Sequence, residues 1–212
     1  MIPMDWSAQA VSPAGARLPT GSNPQSSLIF AFGMTEERER ALDETVTGYH
    51  PFRLWEEIKM KLVIQVVSQA RVSVEGKTSG EIEKGFLVLA GFGREDNTQV
   101  VDRMVKKMLG LRVFPDENGK TNLSLAAVQG KLLIVSQFTL YADCRHGNRP
   151  SFFAAGEEDA SRALYEYLIE RCRAQGTEVQ TGIFGALMKV ELTNEGPFTV
   201  ILDSEELGYT PQ

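Results

Sequence analysis

The chain has 212 residues, 42% of them hydrophobic and 24% charged, with a formal net charge of -6. That length can bury a core without disulfides or metals, and that charge argues against a bulk electrostatic grip on nucleic acid or anionic membrane, leaving only a local basic patch open. Two cysteines, Cys144 and Cys172, and two histidines, His50 and His146, show no metal-ligand spacing, so no disulfide scaffold or zinc site is expected and a reducing cytosol is the default.

Along the chain, residues 1–59 differ from the rest. Ser12 to Ser27 (SPAGARLPTGSNPQSS) is rich in Pro, Gly, Ser and Asn, the composition of an unstructured segment. The SLIFAFG run after it is far below the roughly 20 apolar residues of a membrane helix, and no basic region precedes it directly, so no signal peptide is read. TEERERALDETV follows with weak helical potential. Residues 1–59 therefore read as an N-terminal extension: a disordered tail, a small accessory helix pair, or sequence upstream of the true start.

From Met60 the pattern becomes dense. LVIQVVSQARVSVEG reads as a β-branched strand with turn chemistry at its end, and GFLVLAGFG as a second, buried strand. Val101, Met104, Val105 and Met108 recur at helical spacing and predict a helix from Thr98 to Leu109. LRVF, PDENGK and LSL follow as strand, turn and strand. LLIVSQFTLYAD is a strand running into a polar end. Glu157, Glu158 and Asp159 open a second helix that closes on Arg171 and Arg173, with Gly176 as the stop; Leu164, Tyr167, Leu168 and Cys172 form its apolar stripe. ALMKVELTNEGPFTVILD reads as two strands hinged at Gly196-Pro197. Residues 60–212 form one α+β (α/β) domain, with a mainly β core and two main helices.

Familiar catalytic motifs are missing: no nucleophile elbow, no phosphate-binding loop, no dinucleotide fingerprint. His146, in the loop CRHGNRP, is the one histidine of the domain on which a triad would rest. Ser136-Gln137-Phe138-Thr139 interrupts the most apolar strand, and it fits two readings. It is a strand leaving the core with its hydroxyls on its own backbone, or it is a binding cluster. Arg145 and Arg149 behind it form a solvated loop or a phosphate contact.

These residues carry a resemblance. LLIVSQFTLYAD with its following RPSF, and NEGPFTVILDS near the C-terminus, resemble the two signature segments of the D-aminoacyl-tRNA deacylase family. MKLVIQVVSQARVSVEG, LRVFPDENGKTNLSL and TGIFGALM resemble the same family in the expected order, from Met60 to about Ser204. The resemblance implies layered β-sheets packed with two main helices. It also implies a homodimeric editing enzyme that cleaves the ester of D-aminoacyl-tRNA, and of glycyl-tRNA(Ala), at the tRNA 3′ end. Its pocket would lie at the subunit interface. Ser136, Gln137 and Thr139 would be its catalytic residues in positioning roles, and Phe138 would complete its floor. Met188 would form a wall, and the cis-linked Gly196-Pro197 of the other subunit would reject L-amino acids. The 2′-hydroxyl of the terminal adenosine would assist the chemistry, with no metal and no cofactor. Cytoplasmic location, no membrane and no DNA partner complete the implied picture.

Three positions depart from the family pattern. Val66 stands where an arginine usually steadies the Gly-Pro loop, Leu187 where an acid is usual, and Phe198 where valine is commoner. Val66 motivates one alternative, a relaxed deacylase of glycyl- or small L-aminoacyl-tRNA. A non-catalytic dimeric RNA-binding module is the other.

Overall fold

The computed structural model describes residues 60–209. The readings made for residues 1–59, including the SLIFAFG run and the charged stretch, lie outside the described residues.

Strand β1 (Lys61–Val74) is the spine. Its β-branched and apolar residues alternate, so Leu62, Ile64 and Val66 join one buried cluster. An irregularity between Val67 and Gln69 shifts the period, and Val67, Ala70 and Val72 enter a second cluster instead. One strand thus serves two cores. Its first half pairs antiparallel with β3 (Gly85–Gly91), and its second half with β2 (Lys77–Ile82). β6 (Lys131–Ser136) lies parallel to β3, and β7 (Val179–Thr181) parallel to β6. The sheet order is β2-β1-β3-β6-β7, with β8 (Met188–Asp203) on β1. Between β3 and β6, a hairpin of β4 (Arg112–Pro115) and β5 (Thr121–Ser124) carries Phe114 onto Phe86, ring centroids 5.2 Å apart.

The expected strands and helices are present, with corrections. The polar KTSGEI segment forms β2, and the three-residue β7 was equally unannounced by periodicity. The LLIV strand stops at Ser136 and does not continue to Asp143; Phe138–Tyr141 is a 3-10 turn. Gly196-Pro197 does not separate two strands. Both flanks pair with β1 within one strand, and the Gly-Pro is a bulge in it.

Helix α1 (Thr98–Leu109) begins at Asn97, whose side chain accepts from the Gln99 and Val100 amides at 3.0 and 3.1 Å. It buries Val101, Met104, Val105 and Met108, the predicted stripe. Helix α2 (Glu158–Ala174) buries Tyr165, Leu168, Ile169 and Cys172. Leu164 and Tyr167, expected in that stripe, lie half-buried at its margin, because the helix turns its face by one residue toward β6. There the Tyr165 hydroxyl donates to the Ile134 carbonyl at 2.8 Å. Both helices pack on the same cluster, which includes Leu132 and Ile134; Leu133 and Val135 point into the second. This four-residue run is buried on both faces, at about 1.5–3 kcal/mol for each side chain.

The sheet curls until β2 approaches β7. Ser79 Oγ donates to the Thr181 carbonyl at 3.1 Å, and a Cβ on Gly80 would stand 2.7 Å from the same oxygen. Close approach recurs at Gly85, which faces Lys131 in the parallel register; a Cβ there would fall on the Lys131 carbonyl. Gly85→Ala is therefore expected to destabilise the fold by about 1–3 kcal/mol, read as a lower urea midpoint with an unchanged m-value. A neutral result would show that β3 and β6 separate without cost.

Candidate functional site

β6 delivers the polar cluster. Its last residue, Ser136, pairs with Ala90, and the Gln137 amide donates to the Ala90 carbonyl at 2.8 Å. The chain then leaves the sheet in the 3-10 turn. Ser136, Gln137 and Phe138 are half-buried and Thr139 is exposed. Gln137 Nε2 donates to Thr139 Oγ1, so the threonine oxygen is held by an amide and not by a base. Phe138 meets Phe152 edge-on, with centroids 5.1 Å apart. Phe152 belongs to a loop fastened by paired Asp143–Ser151 amide bonds and by the Gly156 amide on the Phe92 carbonyl. Sequence reading quoted that RPSF segment without giving Phe152 a place in the site.

Met188 reaches the same region. It opens β8 and packs on the cluster of Leu133 and Val135, directly before Ser136. Gly182 makes the room: a Cβ there would stand 2.5 Å from Met188 Sδ and 3.7 Å from Val135 Cγ1. The floor residues and Met188 thus sit around one end of β6.

Gly196-Pro197 does not join them within one chain. Between the pairs Gln65–Thr199 and Val67–Asn194, β8 advances five residues while β1 advances two. The surplus bulges out opposite Val66, exposed, with a cis Gly196-Pro197 bond and Gly196 at φ 124°. Ser136 lies in register with Ala90, and Ala90 with Leu62. The bulge is therefore three strand spacings from Ser136, about 14 Å, and four residues along β1, about 13 Å. Measured along the curled sheet, the two signature segments of one chain lie about 20 Å apart.

Asn194 closes the bulge. Its Oδ1 accepts the Phe198 amide at 2.7 Å, and its Nδ2 donates to Thr199 Oγ1 at 3.2 Å. Val66, at the position where an arginine was expected to steady this loop, is buried in the helix-side core, with Phe198 packed on that core. The signal for Asn194 was present in the sequence as an Asn before Gly-Pro, a residue suited to bonding its own backbone across a turn.

The surrounding charges are mostly committed. Arg145 donates to Asp143 through Nε and its terminal nitrogen at 2.9 and 2.7 Å, holding that carboxyl well below the usual range. The solvated, self-paired reading of this loop holds for Arg145. The Arg94 guanidinium lies 4.1 Å above the Phe153 ring. Burial pushes the Cys172 thiol up to about 12, which makes it an inert core residue. Among the described residues, no group of three or more His, Cys, Asp or Glu is placed to hold a metal ion. The arrangement offers a half-buried aromatic floor, an amide-held hydroxyl and backbone amides, a set suited to holding an ester.

Comparison with known proteins follows the same lines. Residues 63–203 match the family model described as D-Tyr-tRNA(Tyr) deacylase. The chain is 51% identical over 148 residues to a D-aminoacyl-tRNA deacylase of Thermosipho africanus, covering 70% of this chain and 99% of that one. It is 53% identical over 148 residues to the enzyme of the same name from Clostridium novyi, covering 69% and 99%. Among solved structures, the c-Myc DNA Unwinding Element Binding Protein is similar with a TM-score of 0.64 and 38% identity, covering 68% and 97%. A probable eukaryotic D-amino acid tRNA deacylase shares the fold, with a TM-score of 0.62 and 19% identity, covering 68% and 98%.

The Asn194 clamp has a direct test. Asn194→Ala removes the acceptor of the Phe198 amide and is expected to cost about 1 kcal/mol and to speed hydrogen exchange at that amide. Asn194→Asp keeps the acceptor and should exchange more slowly than the alanine variant. Equal exchange in all three proteins would remove Asn194 from any role in shaping the bulge.

Proposed function

The chain belongs to the D-Tyr-tRNA(Tyr) deacylase family, hydrolases of the aminoacyl-tRNA ester, and on that footing we propose that it edits through a pocket shared between two copies of itself. The observation that carries the shared pocket is the separation of about 20 Å between Ser136–Thr139 and Gly196-Pro197 within one chain. Two copies related by a two-fold axis bring each bulge to the other's floor, and make two identical pockets. The surface for such pairing is apolar. Leu187 is 80% exposed and Ile201 66%, with Leu192 and Ile183 also exposed, more than a solvated surface needs.

In the pocket, Phe138 and Met188 hold the aminoacyl group, and Ser136 and Gln137 orient Thr139 and the ester. Water adds to the ester carbonyl carbon. Backbone amides at Phe138 and Thr139 stabilise the oxyanion that forms there. The oxyanion then collapses, the bond to the 3′-oxygen breaks, and the proton from water is relayed through the neighbouring 2′-hydroxyl to that oxygen. Free amino acid and free tRNA leave. Thr139 is a positioning residue in this scheme, because its oxygen accepts from the Gln137 amide.

Gly196 and Pro197 of the partner subunit form the selecting wall. Their backbone meets an L-side chain, whereas a D-side chain points elsewhere and glycine has none to reject. The wall makes selection insensitive to side-chain identity and lets glycyl-tRNA(Ala) through. The two free cysteines, one of them exposed, fit a reducing cytoplasm. None of the described helices is long and apolar enough to cross a membrane.

Hydrolysis of matched D-tyrosyl-, L-tyrosyl- and glycyl-tRNA tests the selection: the D and glycyl esters should turn over and the L ester should not. Equal D and L rates would sink the wall in favour of the relaxed deacylase, and no turnover on any would favour the binding module. Thr139→Ala should keep substantial activity, while tRNA ending in 2′-deoxyadenosine should react far more slowly. The shared pocket is tested by mixing two lesions, Phe138→Ala and Gly196→Val. If each pocket takes its floor from one subunit and its wall from the other, heterodimers concentrate both lesions in one pocket and leave the second intact. Random mixing of two inactive variants should then restore about a quarter of wild-type activity. No recovery in verified heterodimers would place both segments in one subunit's pocket.

A further inference from the structure

The second half of α1, the turn into β4 and the segment after β8 enclose an open groove of about 730 Å³. Four cations line it, Arg103, Lys106, Lys107 and Arg112, together with Leu207 and Tyr209. No carboxylate lines it, in a chain whose net charge is -6.

The fold alone does not account for this cluster. Lysines in the last turn of a helix complement its dipole, which explains Lys106 and Lys107. Arg103, however, stands three and four residues before them, a spacing at which like charges on a helix repel. Among the described residues none of these four cations forms an ion pair, whereas Arg71, Arg145, Arg162 and Arg171 all do. Arg112 is instead fixed by hydrogen bonds to the Asn122 carbonyl and side chain, which keep its charge in place. The Arg103 guanidinium lies 5.9 Å from the centroid of the Tyr209 ring. Clustered cations in an open groove, one of them fixed, suit a sugar-phosphate backbone.

The position is also suitable. β8 ends at Asp203, paired with Lys61, which in turn faces Gly91 at the end of β3. Gln137 is anchored one strand further, on Ala90. The segment carrying Leu207 and Tyr209 therefore leaves the sheet about 14 Å across from the floor of the candidate pocket, at the same end of the strands. We propose that the groove of Arg103, Lys106, Lys107, Arg112 and Tyr209 grips the sugar-phosphate backbone of the tRNA acceptor stem while the 3′ end occupies the pocket. This rests on the deacylase reading above and adds to it a cationic docking surface for the tRNA.

The test uses the full chain with Lys106→Gln/Lys107→Gln, compared with Lys106→Arg/Lys107→Arg and with Lys77→Gln at an exposed site on β2. For D-tyrosyl-tRNA the glutamine pair should raise KM about tenfold with kcat unchanged, and flatten the dependence of log KM on log salt by about two. The arginine pair and Lys77→Gln should match wild type. D-tyrosyl-adenosine, which has no stem, should be hydrolysed equally by all four proteins. An unchanged KM and salt slope, or an equal loss on D-tyrosyl-adenosine, would overturn the groove. Fluorescence anisotropy with uncharged tRNA separates the two readings. Should wild type hydrolyse neither ester, the deacylase reading fails, yet weaker tRNA binding by the glutamine pair still supports the groove and equal binding still overturns it. A DNA duplex that wild type binds as tightly as tRNA would overturn the assignment to the acceptor stem.

Discussion

The antiparallel pairing of β8 along almost the whole of β1 is the constraint on which the rest depends. It runs from Lys61–Asp203 at one end to Val74–Met188 at the other. Its start puts Met188 against the base of the cluster at the end of β6; its middle has to absorb the surplus residues of β8, and Gly196-Pro197 is where they go. Its end releases the chain beside α1. A strand paired over sixteen residues cannot slip by one without turning every side chain to the wrong face, so the bulge is fixed in place. Segments far apart in one chain are thereby set at a constant spacing.

The cluster at the end of β6 has the opposite character. It sits where a fully buried strand leaves the core, so its backbone is rigid up to Ser136 and turns sharply after it. Gln137 is bound at both ends, by its amide to Ala90 and by its side chain to Thr139. Such a site holds a shape well and offers little chemical force of its own. That combination suits an activated substrate such as an aminoacyl ester, for which placement and charge stabilisation supply most of what is needed.

Much of this was legible in the sequence, for physical reasons that can be named. The stripe of α1 and the apolar runs of β1, β3 and β6 announce themselves because burial on one face or two imposes a period. β2 and β7 did not, because KTSGEI and VQT are short and polar and become strands only when the curl of the sheet brings them together. The stripe of α2 was off by one residue at Leu164 and Tyr167, whose partners are decided by tertiary contacts and not by spacing. Ser136, Gln137, Phe138 and Thr139 stand out in the sequence as a break in an apolar strand, Met188 comes from the family resemblance, and the five sit around one end of β6. Phe152, Gly182 and Asn194 were missed because their contributions are a ring edge, an absent Cβ and a loop-spanning bond, none of which has a period.

Val66 and Asn194 show which contacts hold the Gly-Pro loop in this chain. An arginine at position 66 would reach the Gly-Pro loop from outside it, from the neighbouring strand. Val66 instead fills the core, and Phe198, larger than the usual valine, packs against that same core from the far side of the bulge. The polar contacts of the loop come from Asn194, which bonds it from within. The two solutions differ in kind. A bond from β1 ties the bulge to the sheet, whereas a bond within β8 fixes the shape of the bulge and leaves its attachment to apolar contact.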